Sequence, residues 1–531
     1  MIRHKPRFTR IRQIAKNSQD ERAVIYHAGK DQGLLSFCRL LARGINEVRG
    51  HIYNSCGHCV IPALSRKIGE LEVERLSLKE LSAHGFRSEI QKYVPVHRHT
   101  AAGRVSKSLL TEDARTILAS SVFLDELQAI RGICDLALPG TIRDGELIPL
   151  SEGYNRETGI LVHSNGFSFE HDWTLEEALQ YYRDIYSEFC FRPDDKDRSL
   201  AVGIAMNLTL FGYYLLDPDA LRPAFLANAN REGAGKTLLI KIALIGRYGN
   251  AQLSAMPATE EQRQKHIFSA ARCRDGVVAW DNIRGDIKCA SLEQALTSVH
   301  LNDRLLHTHT TQNVRHELTF LLTTNGAVIS PDLRWRSLSM ELHLPNLRAE
   351  DRRIAKWLDD SELISKRSEL CAANWALLRN WVELGCPPPS KIIPGFEKWS
   401  QLFGAAVQAA GLVCPCQAPH AKSKGVAIDL QLQAVEKLVK TIGQSDLLGK
   451  AITFDSVWEI ARKLPSIRDA LLLDNEGVTD IDGRKRLGRL LAKHDGDIIG
   501  GLYRLRRHKT PDKSHAIQIT KEAGVADVRG S

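Results

Sequence analysis

The sequence predicts an α/β fold: a mostly parallel sheet flanked by helices, with a smaller α/β region before it and a small separate domain after it. Two observations carry this. Short apolar runs at 223–228, 277–281 and 318–323 alternate with stretches of helical spacing, as strands joined by helical crossovers do. Beyond residue 426 a different pattern begins, three helical stretches followed by a glycine-broken pair of strands. The expected organisation is an accessory α/β region over 1–120, a hairpin-rich and helical lead-in over 121–200, a core over 201–385, a linker and helix over 386–425, and a terminal domain over 426–531.

Composition bounds these readings. At 531 residues the chain is long enough for three or four domains. With 43% hydrophobic and 25% charged residues it is ordinary globular material. The net charge of +9 favours an anionic partner without naming one. No apolar run reaches the roughly 18 residues of a membrane helix. The basic start Met1-Ile-Arg-His-Lys-Pro-Arg lacks the apolar core of a signal peptide. Eleven scattered cysteines read as reduced thiols, so a cytoplasmic location is expected.

Taken in order, residues 1–120 are mixed and polar. Turn signals at Pro139-Gly140, Asp144-Gly145, Gly153 and Asn165-Gly166 predict short strands and hairpins over 121–172. Thr174 followed by Glu176 and Glu177 marks a helix start. A second apolar helical stretch runs over 200–216, and 349–383 and 394–412 also read as helical. Cys386-Pro-Pro-Pro-Ser390 and 414–425 read as loops.

The chemistry is concentrated after the first core strand. Residues 228–237 read Asn-Ala-Asn-Arg-Glu-Gly-Ala-Gly-Lys-Thr. A strand, a glycine turn and a helix headed by Lys-Thr form a phosphate-binding loop, in which backbone N–H groups point inward and the lysine reaches the phosphates. Gly233, Ala234 and Gly235 would shape the turn, Lys236 would contact the β- and γ-phosphates of ATP, and Thr237 would place its hydroxyl on magnesium. Asn230 stands where the usual pattern carries its first glycine. The alternative is a helix-capping glycine turn followed by a chance Lys-Thr, but the strand before and the helix after fit the loop.

Such a loop needs an acid at a neighbouring strand end. Asp281, closing Gly276-Val-Val-Ala-Trp-Asp, is expected to share in holding Mg²⁺. Asn282 follows where a catalytic glutamate is common, so this amide can position water without taking its proton. A third strand, Leu318-Thr-Phe-Leu-Leu-Thr-Thr-Asn325, ends in an amide. Arg334 and Arg336 follow, and either could reach the phosphate of a neighbouring subunit or lie on a solvated face.

The order of these parts resembles the superfamily 3 helicases and related AAA+ ATPases, and in more detail the primase-helicase-type replication proteins of plasmids, phages and integrated elements. Gly153–Gly159, Glu260–Lys265, Asp303-Arg304 and Gly395–Ser400 add to the resemblance, which spans about 25–520 and is specific across 150–412. It implies an AAA+-like core in a hexameric ring with ATP between subunits, Asn325 at the γ-phosphate or the attacking water, and Arg336 acting on the neighbouring subunit's nucleotide. Host replication proteins would be further partners. No primase signature stands out in 1–150.

Residues 426–520 are expected to form a winged helix, with helices near 429–442, 453–462 and 482–493 and a hairpin from 497–506 and 515–519. Between Asp482 and Lys513, ten Lys and Arg face four acids. Arg484, Lys485, Arg486, Arg489, Lys493, Arg504, Arg506 and Arg507 are the candidate DNA contacts, the alternative being a solvated basic face. About six phosphate contacts would give a log–log salt slope near −5. Cys56-Gly-His-Cys59 and Cys414-Pro-Cys416 with His420 are poor zinc half-sites, being far apart in the chain. His307 and His309 share a strand face and fit a pore hairpin, a metal pair or a plain surface hairpin.

The expected activity is an ATP-driven DNA helicase or translocase serving replication of a mobile element. The alternatives are an ATP-gated DNA-binding regulator that hydrolyses slowly and, less well supported, a small-molecule kinase.

Overall fold

A computed structural model describes residues 24–26, 31–48, 50–65, 75–94, 96–100, 103–106, 109–230, 233–274, 276–283, 287–304, 311–325, 329–344, 358–417, 430–471, 479–496, 498–499, 503–509 and 515–521. The chain forms two compact units, a larger one drawn from residues up to Ala418 and a smaller one centred on Pro419–Ser531.

The larger unit is built on a five-stranded, all-parallel sheet. Its elements run β1 (Ala224–Ala229), α1 (Lys236–Tyr248), β2 (Ser254–Ala255), α2 (Glu260–Arg272), β3 (Val277–Ile283), α3 (Ala290–Ala295), β4 (His300–Arg304), β5 (Thr311–Arg315), β6 (Thr319–Asn325), α4 (Pro331–Trp335) and β7 (Ser337–Leu342). The strand order is β2-β3-β6-β1-β7. β1 is buried on both faces and flanked by a strand on each side, which explains its continuous apolar run. The helix Lys196–Phe211 and the helix Arg367–Glu383 are almost wholly buried and join the same core. β4 and β5 form a separate antiparallel hairpin inserted between β3 and β6. His307 and His309 lie outside the described residues.

In the lead-in, Asp144-Gly145 and Asn165-Gly166 form turns as expected, whereas Pro139-Gly140 and Gly153 begin the strands Pro139–Arg143 and Gly153–Asn155. Strands Pro139–Arg143 and Glu146–Pro149 pair antiparallel around Asp144-Gly145, both with positive φ. Thr174 caps the helix Leu175–Ile185: its hydroxyl accepts from the Glu177 N–H at 3.2 Å, and Glu177 accepts from the Thr174 N–H at 2.7 Å. Half-buried Arg131 and buried Arg222 both pair with Glu317, at 2.6 and 3.4 Å, and Arg131 thereby ties the lead-in to the start of β6. A separate apolar cluster spans Phe37 to Leu127.

Three helical readings need adjustment. The 200–216 stretch is the helix Lys196–Phe211. Of 349–383, the described part is two helices, Asp360–Ser365 and Arg367–Glu383. The 394–412 helix starts at Glu397 and runs to Ala409 through a π-helical stretch at Ser400–Gly404.

The smaller unit contains α5 (Leu430–Gly443), β8 (Ala451–Thr453), α6 (Phe454–Ala461), α7 (Pro465–Leu471), α8 (Asp480–Lys493), β9 (Ile498–Ile499), β10 (Tyr503–Lys509) and β11 (His515–Lys521). The strands form one antiparallel sheet in the order β8-β11-β10-β9. Leu438, Trp458, Leu487, Leu505 and Ile517 close its core. The short helix α7 has no counterpart in the sequence reading. Among the described residues no helix is long and apolar enough to cross a membrane.

Candidate nucleotide site and basic surface

Parallel pairing aligns the carboxyl ends of β1, β3 and β6, the edge of an open α/β sheet where ligands bind. The chain leaves β1 at Ala229 and enters α1 at Lys236. Gly233 and Gly235 take φ of +77° and +95°, the left-handed region that side chains avoid. A Cβ on Gly235 would also sit 3.3 Å from the Phe189 ring. The turn delivers Lys236, 7% exposed, to the head of a thirteen-residue helix whose first N–H groups lack helical partners. Ala234 is fully buried, and Arg231 and Glu232 lie outside the described residues.

The acid and the hydroxyl meet. Thr237 Oγ1 donates to Asp281 Oδ1 at 2.8 Å. The same oxygen accepts from Thr323 Oγ1 at 2.5 Å, and Thr323 Oγ1 in turn accepts from the Asn282 N–H at 2.7 Å. Thr323 is completely buried in β6. One carboxylate beside one hydroxyl is a hard-oxygen donor set, and that chemistry fits Mg²⁺, which takes one or two protein oxygens and completes its shell with water and phosphate.

Asn282 departs from the regular strand. Its φ is +52°, and the β3–β6 register shifts between Trp280 and Ile283, so the chain bulges where the acid is presented. Asn282 is exposed. Asn325 ends β6 with its Cα opposite Ala229, so its backbone reaches the same edge; its side chain lies outside the described residues.

Asn230, in the place of a glycine, keeps its φ out of the left-handed region. Its amide bonds the Leu344 backbone in both directions, donating through Nδ2 to the carbonyl at 3.0 Å and accepting at Oδ1 from the N–H at 2.9 Å. Two residues earlier, Asn228 Nδ2 donates to Glu341 Oε2 at 3.2 Å. Burial pushes the Glu341 carboxyl up to about 7, against the pull of Ser339, Asn228, Arg198 and Arg192.

The arginines stand elsewhere. The Arg336 carbonyl accepts from the Ala224 N–H at 2.9 Å, which places Arg336 at the amino end of β1. The loop leaves the other end, roughly 17 Å away at about 3.3 Å per residue. Arg336, which caps the end of α4, pairs with Asp332, and Arg334 lies two residues earlier within α4. Trp335 between them is 80% exposed. The structure therefore gathers Asn230, Lys236, Thr237, Asp281 and the Asn325 backbone at one edge and leaves both arginines away from it.

In the smaller unit the cations divide into two sets. Arg484 is tied to Asp480 at 2.9 Å and to Asp455, and stacks over Trp458. Arg486 donates to the Leu471 carbonyl at 2.7 Å, and Arg504 to that of Gly496 at 3.0 Å. Lys485 and Arg489, four residues apart on α8, and Arg506 on β10 are exposed; Arg507 is half-buried. The Lys493 side chain lies outside the described residues.

The zinc half-sites gain nothing. Cys59 is buried while Cys56 is exposed and meets Arg274, and Cys414 and Cys416 are both buried. His420 lies outside the described residues. Among the described residues no three His, Cys, Asp or Glu side chains are grouped to hold a metal.

Residues the sequence reading missed are Thr323, whose role needs the β3–β6 register, and Leu344, whose contact is made through backbone atoms.

No family model matches the chain, and no curated protein matches it. Among solved structures, the A-form apo NrS-1 C-terminal region is similar at 9% identity and a TM-score of 0.33, covering 84% of this chain and 94% of that one. The active helicase Cch of SCCmec type IV is similar at 10% identity and a TM-score of 0.29, covering 86% and 93%. The JCV helicase bound to a small acetamide compound is similar at 12% identity and a TM-score of 0.21, covering 45% and 66%.

Proposed function

We propose that the chain is an ATP-dependent DNA helicase or translocase that works as a ring of identical subunits, in replication of a mobile genetic element. The 2.8 Å contact between Thr237 and Asp281, at the sheet edge that also receives Lys236, is the observation that carries the nucleotide reading. Two oxygen atoms, one from the head of α1 and one from the end of β3, converge there.

In the proposed mechanism the N–H groups at the head of α1 and the Lys236 ammonium bind the β- and γ-phosphates. Thr237 and Asp281 would hold Mg²⁺, which when bound neutralises charge on those phosphates. Thr323 fixes the Asp281 carboxylate. Asn282 and Asn325 orient the attacking water. The remoteness of Arg336 from its own loop supports a role on a neighbouring subunit, where an arginine contributes about 10³–10⁵ in rate. An exposed indole between two arginines is the composition that interfaces cover. Lys485, Arg489 and Arg506 would meet DNA phosphates from a winged-helix domain, and the β4–β5 hairpin would grip the strand.

A regulator that binds ATP and turns over slowly is favoured by one observation: an amide, Asn282, stands in an irregular backbone conformation where a proton acceptor is expected. Strand separation of a forked duplex decides between them. Unwinding that needs hydrolysable ATP supports the helicase. ATP-dependent DNA affinity without unwinding, even at high enzyme concentration, supports the regulator.

A further inference from the structure

The loop pattern has a glycine where this chain has Asn230, and the structure gives that asparagine work a glycine cannot do. The β1–β7 ladder ends with Ala229 opposite Leu342. One residue past Ala229, the Asn230 side chain both donates to and accepts from the backbone of Leu344, two residues past Leu342, so a side-chain amide adds one more rung to the ladder. Asn228, two residues earlier and inside β1, bonds Glu341 of β7. These bonds anchor the exit of β1 to β7 and the segment that leaves it, immediately before the turn that sets Lys236.

We propose that Asn230 is a positioning residue: it clamps the entrance of the phosphate loop to the segment that leaves β7, at Leu344, and thereby sets affinity for the nucleotide's phosphates without touching them. This rests on the reading of 228–237 as a phosphate loop. A glycine at 230 closes a loop by backbone freedom, whereas here the clamp replaces that freedom with two fixed bonds. Restoring the usual pattern by Asn230→Gly therefore weakens nucleotide binding.

The test is equilibrium binding of Mg·ATP to the full chain for wild type, Lys236→Ala, Asn230→Gly and Asn230→Ala, with the melting temperature of each measured without nucleotide. Wild-type binding that is lost in Lys236→Ala establishes the phosphate loop independently of Asn230. The clamp then predicts a Kd raised roughly 5- to 30-fold in both Asn230 variants, from two lost hydrogen bonds. In turnover the loss is expected in KM, with kcat kept. An unchanged or tighter Kd in Asn230→Gly overturns the proposal, as does a lowered melting temperature with unchanged Kd, the signature of a purely structural bond. Wild type that does not bind ATP overturns the loop reading and the clamp with it. Should both variants fail to fold, hydrogen exchange of the Leu344 amide in wild type decides. Protection that deepens with Mg·ATP supports the clamp, and fast exchange overturns it.

Discussion

Thr237 Oγ1 and Asp281 Oδ1, 44 residues apart in sequence, lie 2.8 Å apart at the carboxyl edge of the parallel sheet. One comes from the head of α1 and the other from the bulged end of β3. If they share a magnesium ion, Asp281→Asn lowers kcat for ATP hydrolysis by more than the roughly 10–100-fold typical of supporting residues. Thr237→Ala raises the Mg²⁺ concentration needed for half-maximal rate. A Mg²⁺ titration of each variant's ATPase checks both.

Thr323 holds that carboxylate and the bulge at once. Its hydroxyl donates to Asp281 and accepts from the Asn282 N–H. Thr323→Val keeps the shape of a buried side chain and loses both bonds. The expected outcome is a fall of about 10–100-fold in hydrolysis, partly recovered at high Mg²⁺, with protein still folded by melting analysis.

Glu341 predicts a pH effect of definite sign. Its folded carboxyl sits near 7, above the unfolded 4.5, so folding favours the protonated form. Its penalty is absent below about pH 4.5, grows as pH rises towards 7 and is constant above. Glu341→Gln therefore stabilises the protein more at pH 8 than at pH 5, by on the order of 3 kcal/mol at most. Chemical denaturation of both proteins at the two pH values measures the difference.

The divided cations predict divided effects on DNA binding. Lys485→Ala and Arg489→Ala each reduce the log–log salt slope by about 1. Arg484→Ala leaves the slope near the wild-type value, because its guanidinium is already held by Asp480 and Asp455. Fluorescence anisotropy across a salt series separates the two classes.

Arg336 yields a mixing experiment. Both Arg336→Ala and Lys236→Ala are expected to be inactive alone. If Arg336 serves a neighbour's site, mixed assemblies contain some intact interfaces and regain ATPase activity. An arginine acting within its own chain predicts no recovery.

What the sequence disclosed and what it hid divide along one physical line. Local signals were legible: the Thr174 capping box, the Asp144-Gly145 hairpin, the Gly233–Thr237 turn and the helices near 430–443, 454–461 and 480–493 all follow from spacing and turn chemistry. Contacts set by register were not. Thr323 looks like any strand threonine until β6 is laid beside β3. Asn230 looks like a defect until Leu344, 114 residues on, is placed beside it. Counting charges over Asp482–Lys513 likewise overstates the free cations, since Arg484, Arg486 and Arg504 are bonded within their own unit.

The most direct test of the central claim is ATP hydrolysis by the full chain with and without single-stranded DNA, wild type against Lys236→Ala. The account predicts turnover that DNA stimulates and that the substitution abolishes. Turnover indifferent to DNA, or surviving in Lys236→Ala, would contradict it.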